Sequence, residues 1–169
     1  MVVYLYKKGR QSLKNIITTI AMFILTITVQ AQFLTNNSFF KMFQDSINMY
    51  RNSLGLTNVV LEPKYKNFVD QHSYYQSRLG YRTHGEGNFT FEKRVEKEIN
   101  LNNISCYENC GERWVSDFNN IGFGVFVILD GLKKSPLHNK SLIEPTNTKF
   151  YISCYKKDDT VYFTLLLSE

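Results

Sequence analysis

Two imidazoles and one carboxylate, His84, His138 and Glu108, are the residues of this chain whose types could do chemistry together. Glu108 stands within Cys106-Tyr107-Glu108-Asn109-Cys110, and His138 closes the tetrapeptide Ser135-Pro136-Leu137-His138. Neutral imidazoles suit a borderline divalent cation such as zinc, and a carboxylate with a water would complete a tetrahedral set. His84 and His138 are therefore the candidate metal ligands. A hydrolytic variant has Glu108 acting as general base on a water held by the histidines. The chain lacks both His-Glu-x-x-His and Gly-x-Ser-x-Gly, the patterns that put ligands and base, or an activated serine, on one local element. Ser135 beside His138 reads as the end of one helix and the start of a turn rather than as a nucleophile. The third histidine, His72, falls on an apolar helical stripe and reads as a packed, hydrogen-bonded core residue.

Residues so far apart can meet only if a fold gathers them. The chain opens with Lys7, Lys8, Arg10 and Lys14, continues with an apolar run from Ile16 to Val29, and reaches small residues at Val29 and Ala31. Charged, apolar and cleavage regions in that order predict a signal peptide over residues 1–31, too short in its apolar part to span a bilayer, and hence a secreted or periplasmic protein without a stable membrane span. Its removal leaves 138 residues, enough for one domain with one core. The formal charge of +5 falls to +1 without the four leader cations, and a nearly neutral domain has no general grip on phosphate backbones, which excludes nucleic acid as partner. Three cysteines, Cys106, Cys110 and Cys154, would enter an oxidising compartment. One disulfide is expected, and a bridge that includes Cys154 closes a longer loop than Cys106 to Cys110 and so stabilises more in the chain-entropy account. Sequon-like stretches at Asn88 and Asn103 occur by chance in an Asn-rich chain and carry no reading.

Residues 32–38 form a short polar lead-in with N-cap residues. Phe40, Phe43, Ile47, Tyr50 and Leu54 recur at helical spacing up to Gly55 and predict a first helix; Tyr65, Phe68, Val69, His72, Tyr75 and Leu79 predict a second, ending at Gly80. Thr90 caps a short helix over Phe91–Ile99, leaving His84 on the turn-rich stretch between helices and Glu108 in a loop. Glu112 to Leu132 is ambiguous, since its continuous apolar run Phe123–Leu129 also suits a strand. Phe150–Tyr155 and Thr160–Leu167 around Lys156-Lys157-Asp158-Asp159 predict a β-hairpin.

His84 after a helix and a turn, Glu108-Asn109, and the Ser-Pro-x-His element after a long apolar stretch together resemble the bacterial branch of the CAP superfamily, or SCP-like domains, over Ile47–Leu167. The "GEN" glutamate and "SPGH" histidine of that family find counterparts in Glu108 and His138, and Ile47-Asn48-Met49-Tyr50-Arg51 is similar to its opening helix. The resemblance implies a domain over residues 39–169 and a helix before Ser135. It implies a cleft lined by His84, Glu108, Asn109 and His138, and a fourth acidic member, for which Asp130 is the nearest acid by order. Pattern and resemblance jointly predict an α+β fold, an α/β/α sandwich with a small antiparallel sheet between helices. Two functions follow as expectations: a secreted domain binding an apolar small molecule, a glycan or a protein in that cleft, with zinc or another divalent cation optional, or a metal-assisted hydrolase of a peptide or cell-envelope polymer.

Overall fold

The computed structural model of the protein describes residues 34–99 and 105–169. The signal peptide, its cut near Gln32 and most of the stretch at 103–105 lie outside the described residues.

The first helix, α1 (Asn37–Ser53), starts where Asn36 Oδ1 accepts from the Phe39 amide at 2.9 Å, and buries Phe39, Phe43, Ile47 and Arg51 at a strict spacing of four. Strand β1 (Val60–Leu61) and a 3-10 turn at Pro63–Tyr65 lead into α2 (Lys66–Leu79), which ends at Gly80, whose φ of 80° suits a residue without Cβ. A short helix α3 (Phe91–Glu98), capped by Thr90, precedes strand β2 (Cys106–Trp114). The ambiguous segment resolves into three parts: the end of β2, a 3-10 turn at Val115–Phe118, and helix α4 (Ile121–Lys134), capped by Asn120. Helix is thus the conformation of Phe123–Leu129, as the resemblance implied. Pro136 does not merely end a helix; it opens another, α5 (Pro136–Leu142), at a first-turn position where no amide is needed. Strands β3 (Lys149–Lys157) and β4 (Thr160–Ser168) form the expected hairpin.

The sheet order is β1-β3-β4-β2, with β1 parallel to β3 and the other pairs antiparallel, so the predicted sandwich is present with a mixed sheet. One face packs Phe43, Ile47, Ile128, Leu132 and Leu142 of α1, α4 and α5 against Phe150, Ile152, Phe163 and Leu165. The other packs Phe68, Val69 and Val95 of α2 and α3 against Tyr151 and Leu166. No described helix is long and apolar enough to cross a membrane.

Two expectations are corrected here. Glu108 stands in the edge strand β2, not in a loop. The disulfide through Cys154 is not formed, and all three cysteines are free thiols. Cys110 lies opposite Thr164 and hence Ser153, whereas Cys154 lies opposite Phe163, so the two sulfurs leave opposite faces with β4 between their strands. Cys106 and Cys110 share a face but stand four residues apart, about 13 Å along a strand, beyond the reach of a disulfide.

Candidate functional site

Alternation along β2 sends neighbouring side chains to opposite helical layers. Glu108 points towards α2 and α3 and is covered there; its side chain is only 1% exposed. Its Oε2 accepts from Arg94 Nη1 of α3 at 3.0 Å, and its Oε1 accepts from His84 Nδ1 at 3.1 Å. Arg94, itself buried, also donates to the His84 carbonyl at 3.2 Å and stacks its guanidinium on Phe68 at 4.6 Å. Behind this pair His72 fills the core: Nε2 donates to the Thr83 carbonyl at 2.7 Å and Nδ1 meets Glu86 Oε1 at 2.7 Å. Glu86 Oε1 in turn lies 3.3 Å from Arg94 Nε. Both ends of the 83–86 turn are thereby tied to buried groups, and His84, with its side chain 57% exposed, is presented from a fixed backbone.

Asn109 takes the opposite direction. Its Oδ1 lies 2.9 Å from Ser141 Oγ of α5, and that hydroxyl is 2.7 Å from the carbonyl of His138. The helix that carries His138 is therefore set against β2 by the residue next to Glu108. Between the layers, over the free edge of β2, lies a cleft of about 560 Å³ lined by Arg82, His84, Arg113, Ser135 and His138, with Phe163 at its base. Two glycines make the shape possible: a Cβ on Gly111 would collide with the Phe163 ring, and one on Gly131 with the Arg113 guanidinium that crosses α4 there.

The two imidazoles differ electrically. The hydrogen bond to Glu108 is the main influence on His84 and raises its pKa above the ordinary value, against the effect of burial. Burial lowers that of His138, and the positive charges of His84, Arg82 and Arg113 lower it further. A free Nε2 on His84 and a neutral ring on His138 are what ligation of a metal or acceptance of a ligand proton requires.

Residues 44–167 match the family described as the cysteine-rich secretory protein family, CAP. The chain belongs to the CAP family. Among solved structures, an outer surface protein from Borrelia burgdorferi aligns with a TM-score of 0.67 at 15% identity, over 83% of this chain and 98% of its own. An extracellular protein containing an SCP domain from Bacillus anthracis aligns at 0.61 and 17% over 78% of this chain, and a cysteine-rich secretory protein from Staphylococcus aureus at 0.54 and 15% over 80%. This chain spans only 40% and 39% of those two proteins. At such identities the likeness shows the fold alone. No curated protein matches the chain.

In this CAP domain, His84 and Glu108 are directly bonded and His84 and His138 line one cleft. Glu108 and Asn109 do not line it; each stands behind the histidine-bearing segment that it positions. Asp130, the nearest acid by order, pairs with Lys134 at 2.8 Å on α4 and is not among the lining residues. His72, Glu108 and Cys110 form the one cluster of three potential ligand groups among the described residues, with ligand atoms within 4.8 Å of one another. Both nitrogens of His72 already have partners, and burial together with the Glu108 charge pushes the Cys110 thiol well up, so this cluster is packing rather than a metal centre.

Histidine ring signals followed by NMR over pH should separate the pair: His84 titrates above about 6.5 and His138 below it. Glu108→Gln should bring His84 down towards the reference value. Coincident titrations in the wild type would contradict the environments described above.

Proposed function

We propose that this CAP domain is an exported binding module whose ligand enters the cleft between His84 and His138. The observation that carries this reading is the cleft itself: its volume suits a small molecule or the end of a glycan or protein chain, and its walls come from the turn after α2, from the sheet and from α4 and α5. The anatomy of the leader supports export, and the extracellular Bacillus protein of the same fold is in keeping with it. A divalent cation such as zinc would be held by Nε2 of His84, whose Nδ1 is fixed by Glu108, and by the His138 ring, with solvent or ligand oxygens completing the tetrahedron. Carboxylate support of a ligating histidine is the usual outer arrangement of such sites. Two protein ligands are fewer than the three of catalytic zinc centres, and the hydrolase reading is the weaker one for a second reason. Both oxygens of Glu108 are engaged and its side chain is covered, so it has no access to a water in the cleft.

Zinc titration of the wild type against His84→Ala and His138→Ala tests the pair. Each replacement should remove most of the affinity, and binding to the wild type should weaken as pH falls, beginning at a higher pH than for an ordinary histidine because the pKa of His84 is raised. Unchanged affinity in either variant would remove the imidazole pair from the site.

A further inference from the structure

The lining of the cleft is positively charged without compensation. Arg82 and Arg113 stand on it together with the two histidines, and no aspartate or glutamate does, because Glu108 is turned beneath it and Asp130 is held by Lys134. Arg82 has neither an ion pair nor a hydrogen-bond partner among the described residues. Arg113 is bonded, but only to main chain: Nε donates to the Val127 carbonyl at 3.3 Å and Nη1 to the Glu112 carbonyl at 2.7 Å. Its guanidinium also lies over the Phe163 ring, 5.8 Å from the centroid. These contacts fix the orientation of the fork without cancelling its charge. Gly131 is the local concession that allows this, since any side chain there would occupy the place of the guanidinium. Ser135 adds a hydroxyl that makes no capping bond to α5.

A preoriented guanidinium that lines one cleft together with a second arginine offers the charge and the donor fork by which proteins grip planar carboxylates and phosphates. We propose that the cleft recognises an anionic group, a carboxylate or a phosphate at one end of an organic ligand, held by Arg82 and Arg113 beside His84. The cleft is larger than an inorganic oxyanion needs, which leaves room for the remainder of the molecule along Leu132 and Phe163. Arg82 and Arg113 on one lining, with no acid beside them there, set up a field that an anion would relieve. The same field opposes a bare divalent cation, so a metal would be expected to enter together with an anion rather than before it.

This inference rests on the cleft being the binding site, and the experiment separates the two. Inorganic phosphate and succinate are titrated separately into the full-length chain at low salt, with the ring signals of His84 and His138 as readout, and zinc is titrated in parallel. Saturable shifts with phosphate alone, succinate alone or both are the expected result and select the anion class. Arg82→Gln and Arg113→Gln should each weaken binding about tenfold, in the range of a lost charge-assisted hydrogen bond. Gly131→Ala keeps the charge but displaces the guanidinium, and it should weaken binding in the same direction. Zinc affinity should be unchanged or stronger in all three variants. Anion binding that is indifferent to the three substitutions, or absent from the wild type while zinc still perturbs both rings, overturns the anion proposal and leaves the cleft. If neither anions nor zinc move the two rings, the proposal fails together with the cleft reading.

Discussion

Arg51→Ala should be among the most destabilising single replacements in this domain, costing about 3–5 kcal/mol, because it strands several buried acceptors at once. The side chain is fully buried on α1. Its Nε donates to the Thr57 carbonyl at 2.8 Å, Nη1 to those of Leu142 and Glu144 at 2.7 and 3.0 Å, and Nη2 to that of Asn147 at 3.0 Å. One planar fork thus satisfies the turn after α1 and the segment that leaves α5. Removing it leaves four carbonyls to find water or go without, each unmet acceptor costing about 1–3 kcal/mol before relaxation. Lysine at this position should recover only a minor part, since a single ammonium cannot reach both segments. Urea unfolding of Arg51→Ala, Arg51→Lys and wild type measures this directly. A loss below 1 kcal/mol for the alanine variant would mean that the carbonyls rehydrate freely and that the fork is not what joins the two segments.

Arg94→Met should cost a similar amount, about 3–5 kcal/mol at neutral pH, for a different reason: it leaves buried negative charge without its counterion. Arg94 bonds Glu108 and approaches Glu86, and the methionine can do neither. In the wild type, burial is the largest influence on Glu86 and pushes its pKa up, but the hydrogen bond from His72 and the charge of Arg94 outweigh it, so the pKa lies below the ordinary value. A carboxylate with a depressed folded pKa contributes stability that is present above its unfolded pKa and is lost as the pH falls through the folded one. Without Arg94 that contribution shrinks, and protonation now relieves stranded charge. The gap between wild type and variant in urea should therefore narrow from pH 7 to pH 4. The double variant Arg94→Met/Glu108→Gln should lose less than the sum of its parts, as expected for two members of one network. A gap that widens in acid, or strict additivity, would contradict the ion pair as described.

Residue type alone was enough to single out His84, Glu108 and His138, because few residues in the chain can ligate or move protons. It could not single out Arg94, Arg82 or Arg113. Arginine is ordinarily solvated, and on α3 the reading of Glu92, Lys93, Glu96 and Lys97 as an outer face left no reason to turn Arg94 inward. Arg94 and Val95 are the buried residues of that helix, and Arg94 meets Glu86 and Glu108 there. Strand β2 escaped notice because alternation of apolar and polar residues marks a strand with one wet face, whereas β2 buries polar groups on both. Cys-Tyr-Glu-Asn-Cys-Gly-Glu-Arg-Trp carries no such rhythm, so from sequence it reads as a loop with its cysteines free to pair. The first two helices were legible because each carries an apolar stripe towards one core layer and stops near Gly55 or Gly80, and the terminal hairpin because its apolar residues serve both layers.

The opposed directions of Glu108 and Asn109 make the chemistry of this domain a matter of parity. Moving β2 by one residue against β4 would preserve the strand and most of its main-chain bonding, yet it would turn the carboxylate of Glu108 away from His84 and the amide of Asn109 away from Ser141. Odd and even positions would exchange their tasks, and neither histidine would keep its support. An insertion or deletion of one residue between Ser105 and Glu108 is accordingly a different kind of change from any substitution. It would spare the composition of the site and scramble the assignment of each group to its layer.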